Sequence, residues 1–140
     1  MFIQQLSVFL ENKEGRLEQV LETLKENNVN IISLSLADTS DFGMLRMIVS
    51  NPELGKKALK EAGFSAMLKE VLAVKLSHKV GQLQSILAEL DKAGMNIEYM
   101  YAMATGNNDA SIVIRTADVE ATAQVLEKLG VELVRNSELV

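Results

Sequence analysis

The sequence predicts an α+β fold in which one unit of four strands and two helices occurs twice. The chain has 140 residues, of which 48% are hydrophobic and 24% charged, the composition of an ordinary globular protein. Segments with apolar residues at every second position, typical of strands, alternate with segments that have the spacing of amphipathic helices. A polar segment with a central glycine, residues 12–17, returns at residues 78–83. A return at a fixed distance indicates a duplicated unit.

The repeat includes the helix and the strand that follow each glycine. Gly15 and Gly81 are 66 positions apart, as their numbers show. Residues identical at this offset include Lys13 and Lys79, Leu17 and Leu83, Leu21 and Leu87, Leu24 and Leu90, Asn30 and Asn96, and Ile31 and Ile97. We therefore predict a first domain at residues 1–70 and a second at residues 71–140. Domains of about 70 residues have marginal cores, so we expect the halves to bury surface against each other or a second chain.

The first half has the predicted order β-α-β-β-α-β. Leu17, Leu21 and Leu24 have the spacing of one helix face. Asn51 is a favourable N-cap and Pro52 a favourable first residue for the second helix. The predicted strands are residues 2–10, 29–37, 44–49 and 64–70, and the predicted helices are residues 16–27 and 51–62.

The second half repeats this order, and Gly94 and Gly130 mark the ends of its helices. The predicted strands are residues 71–76, 96–104, 110–115 and 131–134, and the predicted helices are residues 82–93 and 118–129. This order is that of the ferredoxin-like split βαβ fold. Each unit is expected to form an antiparallel four-stranded sheet with both helices on one face.

Charge and composition exclude several classes of function. The net charge is −5 and the 14 basic residues are scattered, which argues against nucleic-acid binding. The chain has no cysteine and one histidine, His78, without partners at ligand spacing, so neither a metal site nor a cofactor is predicted. No apolar run is long enough to cross a membrane, and the N-terminus does not resemble a secretion signal. We predict a cytoplasmic protein.

No set of catalytic residues stands out in the sequence. The common nucleotide-binding and hydrolase motifs are absent, and no nucleophile is paired with a general base. A small enzyme on this scaffold is therefore the least supported of the hypotheses considered, and we predict that the protein is not an enzyme.

The loops at Gly15 and Gly81 have two interpretations. Glycine relieves a tight turn between strand and helix. Alternatively, the free N–H groups at the positive end of the helix dipole suit a carboxylate, which can approach closely where no side chain intervenes. Asn30 and Asn96, where a helix passes into a strand, are either cap residues or ligand contacts, since an amide can both donate to and accept from an amino-acid zwitterion.

The tandem order, the polar-x-x-Gly-x-Leu loop and the Asn-Ile that opens the second strand resemble the ACT domain family. The resemblance covers the whole chain, once per half. It implies a regulatory module for a small molecule, typically an amino acid, whose domains tend to pair into an eight-stranded sheet. It also implies that the ligand lies between the loop of one domain and the helix-to-strand turn of the other. One implied site has Asn12, Glu14, Gly15, Arg16 and Leu17 facing Asn96 and Ile97, and the other has His78, Val80, Gly81, Gln82 and Leu83 facing Asn30 and Ile31.

The leading hypothesis is a non-catalytic amino-acid sensor that forms a homodimer and regulates an amino-acid metabolic enzyme. The alternative is a pairing module that binds a protein partner and no small molecule. Neither hypothesis involves nucleic acid or a membrane.

Overall fold

A computed structural model describes residues 2–38, 41–77, 79–104 and 110–139. The strands are β1 (Ile3–Glu11), β2 (Ile31–Asp38), β3 (Phe42–Val49), β4 (Ser65–Leu76), β5 (Ile97–Ala104) and β6 (Ala110–Thr116). The helices are α1 (Arg16–Glu26), α2 (Pro52–Glu61), α3 (Gln82–Lys92) and α4 (Val119–Lys128), followed by a 3₁₀ turn at Asn136–Glu138. The chain divides into two compact units. One is Gln4–Lys69, and the other runs from Glu70 onwards and includes Phe2 and Ile3.

The first unit has a four-stranded sheet in the order β2-β3-β1-β4. Strand β3 is antiparallel to both neighbours, so Met47 is the register partner of Leu6 on β1 and of Leu34 on β2. The order of elements and the antiparallel pairing confirm the predicted α+β fold with βαββαβ units.

The core of the first unit lies between this sheet and its helices. Alternate residues of β1 from Leu6 onwards, including Val8, face it, and α1 contributes Val20 and Leu24. Its remaining fully buried members are Leu10, Val29, Leu45, Met47, Val49, Leu59 and Ala66. This is the arrangement expected when strands of period two pack against an amphipathic helix.

Helix α2 begins at the predicted cap. The Asn51 side chain accepts a hydrogen bond from the N–H of Leu54 at 3.2 Å, and Pro52 occupies the first turn. Gly55 is buried on the inner face of α2. A Cβ at this position would lie 3.0 Å from Cδ2 of Leu6, so glycine allows the helix to approach the strand closely.

The second unit has the strand order β4-β6-β5, again antiparallel. Ile114 at its centre is the register partner of Leu72 and of Met100. The fully buried core is formed by Leu72, Val74, Ile86, Leu90, Ile114, Ala123 and Leu126. Helix α4 is capped by Asp118, whose carboxylate accepts from the N–H of Ala121 at 2.9 Å.

Two predicted boundaries differ from the structure. The predicted strands at 64–70 and 71–76 form one strand, β4, because no glycine, proline or asparagine interrupts this stretch. The predicted last strand, 131–134, is reduced to an isolated bridge between Leu133 and Val74. The described residues therefore contain six strands, whereas the expected eight-stranded sheet requires eight.

The short C-terminal pairing has a local cause. Lys75 donates its N–H to the carbonyl of Glu132 at 2.9 Å, and Val134 donates to that of Ala73 at 2.8 Å. The chain then turns away, since the Glu138 carboxylate accepts from the N–H of Arg135 at 3.1 Å and caps the 3₁₀ turn.

In the part of the chain that the structure describes, no helix has the length and apolar character needed to cross a membrane.

Candidate functional site

The two glycine loops have the same backbone conformation. Gly15 precedes α1 with φ 80° and ψ −7°, and Gly81 precedes α3 with φ 83° and ψ 2°. Each loop is closed by one hydrogen bond of 3.3 Å, from Arg16 N–H to the carbonyl of Lys13 and from Gln82 N–H to that of Lys79. A positive φ favours glycine, which accounts for this residue in both loops.

Both helices begin with a residue that cannot cap them. Because glycine has no side chain, the N-cap position provides no hydrogen bond to the first turn. The next N–H groups have no acceptor inside the helix and lie at the positive end of its dipole. A Cβ at Gly15 or Gly81 would meet no atom within 4 Å. The space beside each glycine is thus open to an anion.

Charged side chains surround the first loop. Lys13 Nζ lies 3.1 Å from Oε2 of Glu11, and Arg16 Nη2 lies 4.0 Å from the same oxygen. The hydrogen bond from Lys13 lowers the pKa of Glu11, and the positive charges of Lys13 and Arg16 lower it further. Arg16 also donates to Oε1 of Gln19 at 3.3 Å. These are long or exposed contacts of small energy, so a ligand can compete for Arg16.

Two adjoining hollows lie at this loop. A smaller one of about 100 Å³ is lined by Leu10, Glu11, Asn12, Lys13, Arg16, Leu17, Leu36 and Gly43. A larger one of about 220 Å³ is lined by Phe9, Glu11, Arg16, Phe42, Gly63, Phe64 and Ser65. Glu11 and Arg16 line both hollows. The structure therefore brings together Asn12, Arg16 and Leu17 of the predicted first loop, whereas Glu14 and Gly15 lie exposed on the loop itself.

The helix-to-strand turn of the first unit lines a third hollow. It has a volume of about 350 Å³ and is lined by Leu21, Lys25, Asn28, Val29, Asn30 and Ile31. Two hydrogen bonds of 2.9 Å join the Asn30 backbone to Ser50. The N–H of Asn30 donates to the Ser50 hydroxyl, and the N–H of Ser50 donates to the carbonyl of Asn30. The Asn30 residue is exposed at the rim. The left-handed residue that ends α1 is Asn28, with φ 57°.

The second loop differs from the first in charge and contacts. Val80 is fully exposed, and Gln82 accepts through Oε1 from both the N–H and the hydroxyl of Ser77. Leu83 is half-buried. The predicted contact His78 lies outside the described residues. A neutral, internally bonded Gln82 thus occupies the place that Arg16 has in the first loop.

The corresponding turn of the second unit contains Asn96 and Ile97. Asn96 is exposed, while Ile97 packs against the core of its unit. In the first unit, the loop and the turn lie at opposite ends of α1, whose 11 residues span about 16 Å. One unit alone cannot bring its own loop and turn onto a single amino acid. The pairing of each loop with the turn of the other unit stays a prediction.

Sequence reasoning missed the aromatic residues beside the first loop. The Phe9 and Phe42 rings have centroids 4.9 Å apart and planes inclined by 30°. Arg16 lies over the Phe64 ring, 5.9 Å from its centroid, within the range of a cation–π contact. The signal available in the sequence was the distribution of phenylalanine along the chain. Three of its four phenylalanines, at positions 9, 42 and 64, form this cluster.

The described residues contain no cluster of three histidine, cysteine or acidic side chains able to hold a metal ion. The groups with shifted pKa values, Glu11, Lys75 and Glu138, all belong to ion pairs near the surface.

The chain matches known proteins both in sequence and in structure. A family model described as an ACT domain pair matches residues 1–140. Protein BT0572 from Bacteroides thetaiotaomicron is similar, with 41% identity and a TM-score of 0.91 over 99% of this chain and 96% of that one. The ligand-free regulatory subunit of aspartate kinase from Thermus thermophilus shares the fold, with 16% identity and a TM-score of 0.60 over 89% and 90%. No curated protein sequence matches.

Proposed function

Because the chain belongs to the ACT domain family, as a domain pair over residues 1–140, we propose that it is a non-catalytic regulatory protein that binds an amino acid in the cytoplasm. The ligand's carboxylate lies against the open start of a helix. Its binding shifts a conformational or oligomeric equilibrium, which in turn controls a partner enzyme of amino-acid metabolism.

One observation carries this proposal: a left-handed glycine at the N-cap of α1, with no side chain above it, next to Arg16. The helix start alone attracts a carboxylate by about 0.3–1 kcal/mol at an exposed position. Arg16 can add a bidentate pair of hydrogen bonds, since the geometry of a guanidinium matches that of a carboxylate. The Gly15 loop has both features, and the Gly81 loop has only the first.

The amide side chains supply the second half of the recognition. Asn30 and Asn96 both lie exposed where a helix passes into a strand. An exposed amide can accept from an ammonium group and donate to a carboxylate. We place each of them opposite the glycine loop of the other unit, or of the other subunit in a homodimer. A ligand held from two sides stabilises the arrangement that joins them, which is the differential affinity that regulation requires.

A thermal-shift screen of the proteinogenic amino acids at millimolar concentration tests the proposal. A ligand at 100 times its dissociation constant adds about 2.7 kcal/mol to the free energy of unfolding, which is readily detected. Gly15→Asp places a negative charge where the carboxylate binds, so it should remove the shift if the first loop is used. Gly130→Asp is the matched control, because Gly130 also has a positive φ, 73°, and open space around it. No shift with any amino acid would overturn the proposal.

The alternative is a module that pairs with a protein and binds no small molecule. Exposed apolar side chains such as Leu34 and Leu36, each 46% exposed on the edge strand β2, are compatible with such a role. Native mass spectrometry discriminates between the two functions. A small molecule that leaves the purified protein on denaturation supports the sensor, whereas a protein partner retained without one supports the module.

A further inference from the structure

The larger hollow at the first loop has aromatic walls and a charged rim. Phe9 from the end of β1, Phe42 from the start of β3 and Phe64 from the turn before β4 form its apolar lining. Its volume of about 220 Å³ is below the roughly 300–1,000 Å³ typical of pockets for drug-sized ligands. The hollow has the scale of a single amino-acid side chain.

Two of the three rings in this hollow are substantially exposed to solvent. Phe9 is 46% exposed and Phe42 is 43% exposed, although both are large apolar residues and stack on one another. Aromatic rings favour offset or edge contacts with another ring. A bound apolar side chain would cover the exposed ring surface, which water covers only at a cost in free energy.

The rim carries opposite charges at a separation that suits a zwitterion. Arg16 and Glu11 both line the hollow, but their charged atoms are 4.0 Å apart, at the outer limit of an ion pair. Arg16 is also the first residue of α1, next to the open helix start described above. Glu11 stays ionised, since Lys13 and Arg16 lower its pKa. The carboxylate of an amino acid would meet Arg16, and its ammonium would meet Glu11 in place of Lys13.

The second unit lacks this constellation. At the 66-residue offset, Ser77 stands for Glu11, Gln82 for Arg16 and Lys75 for Phe9. The residue after the glycine that ends the second helix of each unit is Phe64 in the first and Val131 in the second. Lys75 is held in ion pairs with Glu132 and Glu138. Both glycine loops are therefore present in the two units, but within the described residues the aromatic, charged hollow belongs to the first unit.

We propose that the hollow formed by Phe9, Phe42 and Phe64 receives the side chain of an aromatic or large apolar L-amino acid, whose charged groups bind Arg16 and Glu11. This inference rests on the proposed function and adds to it the class of ligand. It assigns one such site to each chain, in the first unit.

Isothermal titration calorimetry with L-phenylalanine, L-leucine, L-alanine and L-aspartate tests the assignment. We expect L-phenylalanine or L-leucine to bind at least tenfold more tightly than the other two. Phenethylamine, which lacks the carboxylate, and 3-phenylpropionate, which lacks the ammonium, should each lose tenfold or more relative to L-phenylalanine. Equal affinity of the intact amino acid and either analogue would overturn the assignment of Arg16 and Glu11.

Two variants, in which a residue of the first unit is replaced by its equivalent from the second unit, test the location of the site. Arg16→Gln introduces the residue found at the equivalent Gln82, and Phe64→Val the one found at Val131, so both should fold. Each should weaken binding of the apolar amino acid at least fivefold. Met100→Ala is the matched control, because Met100 is an apolar side chain of the second unit that is 41% exposed. It should leave the affinity unchanged.

NMR spectra of protein that carries isotope-labelled phenylalanine give a second test of the site. The chain has four phenylalanines. Ligand should shift the resonances of Phe9, Phe42 and Phe64. Phe2 packs on the core of the second unit and serves as an internal reference. Binding of only small or acidic amino acids, without these shifts, would overturn the aromatic site and leave the proposed function standing. Absence of binding by every amino acid would overturn both.

Discussion

A carboxylate oxygen of Glu138 lies 2.8 Å from Nζ of Lys75 and ties the C-terminal 3₁₀ turn to strand β4. Lys75 is also 3.3 Å from Oε1 of Glu132. Asn136 in the same turn donates its side-chain N–H to the carbonyl of Phe2 at 3.0 Å. In the second unit these side-chain contacts hold the segment from Glu132 to Glu138, which begins within the strand predicted at residues 131–134.

This ion pair should make stability depend on pH at both ends of the scale. The hydrogen bond from Lys75 lowers the pKa of Glu138 below its usual 4.5, so the stabilisation is complete above pH 4.5 and is lost as the pH falls through the lowered value. The hydrogen bond to Glu138 raises the pKa of Lys75 above 10.5, so the stabilisation is complete below that pH and is lost at more alkaline pH.

Glu138→Gln should lower the urea midpoint of the second unit at pH 7 and leave it unchanged well below the lowered pKa, where the native carboxyl is also neutral. Urea titrations at pH 7 and at a series of successively more acidic pH values measure this difference. Glu89→Gln is the control, because Glu89 and its partner Lys92 form a pair that is 43% and 73% exposed. An equal effect of both substitutions at pH 7 would contradict a special role for the Lys75 pair.

Gly55→Ala should destabilise the first unit although alanine is the better helix former. Its Cβ would lie 3.0 Å from Leu6 Cδ2 and 3.4 Å from Leu24 Cδ2. Overpacking of a core costs about 1–3 kcal/mol, while the gain in helix propensity is about 1 kcal/mol. We expect a net loss of about 1 kcal/mol in the free energy of unfolding. Combining it with Leu6→Val, which shortens the opposing side chain, should recover part of the overpacking cost, and additive losses would contradict the contact.

The second unit has a buried hydroxyl pair that joins the end of β6 to α4. Oγ1 of Thr116 lies 2.7 Å from Oγ1 of Thr122, and Thr122 donates its own proton to the carbonyl of Asp118 at 2.9 Å. Thr116 must therefore be the donor within the pair. Removing the acceptor leaves a buried donor unpaired, whereas removing the donor leaves Thr122 with its bond to Asp118.

Thr122→Val should consequently cost more than Thr116→Val. We expect a loss of about 1–3 kcal/mol for the first, the cost of a buried unpaired donor, and about 1 kcal/mol or less for the second. Chemical denaturation of the two single variants and the double variant measures the order. A larger loss for Thr116→Val would mean that the proton lies on the other hydroxyl.

The fold could be predicted because its signals are local and occur twice. The periodicity of α1 and the cap at Asn51 are properties of a few adjacent residues, and both appear as expected. The predicted break between two strands at residues 70–71 was wrong, because a limit derived from a repeat need not interrupt a strand. Strand β4 contains no residue that would break it.

The site was only partly predictable, for a geometric reason. Gly15 and Asn30 were found because glycine loops and helix ends have local sequence patterns. The aromatic hollow was missed because Phe9, Phe42 and Phe64 are distant in sequence. They meet only through the register of β3 on β1, which pairs Phe42 with Glu11, and through the turn after α2. No local pattern contains this register.

The two interpretations of the glycine loops can be separated by replacing each glycine with asparagine. Asparagine tolerates a positive φ better than other side chains, so Gly15→Asn and Gly81→Asn should lose less stability than the about 1–2 kcal/mol expected for a residue that resists this conformation. The new side chain nevertheless fills the open space above the helix start, so it should abolish the amino-acid-induced thermal shift at whichever loop binds. From the position of Arg16, we expect Gly15→Asn to have the larger effect. Gly130→Asn, at a glycine with φ 73° away from both loops, should keep the full shift. A shift that survives in both loop variants would assign the glycines to the turn alone.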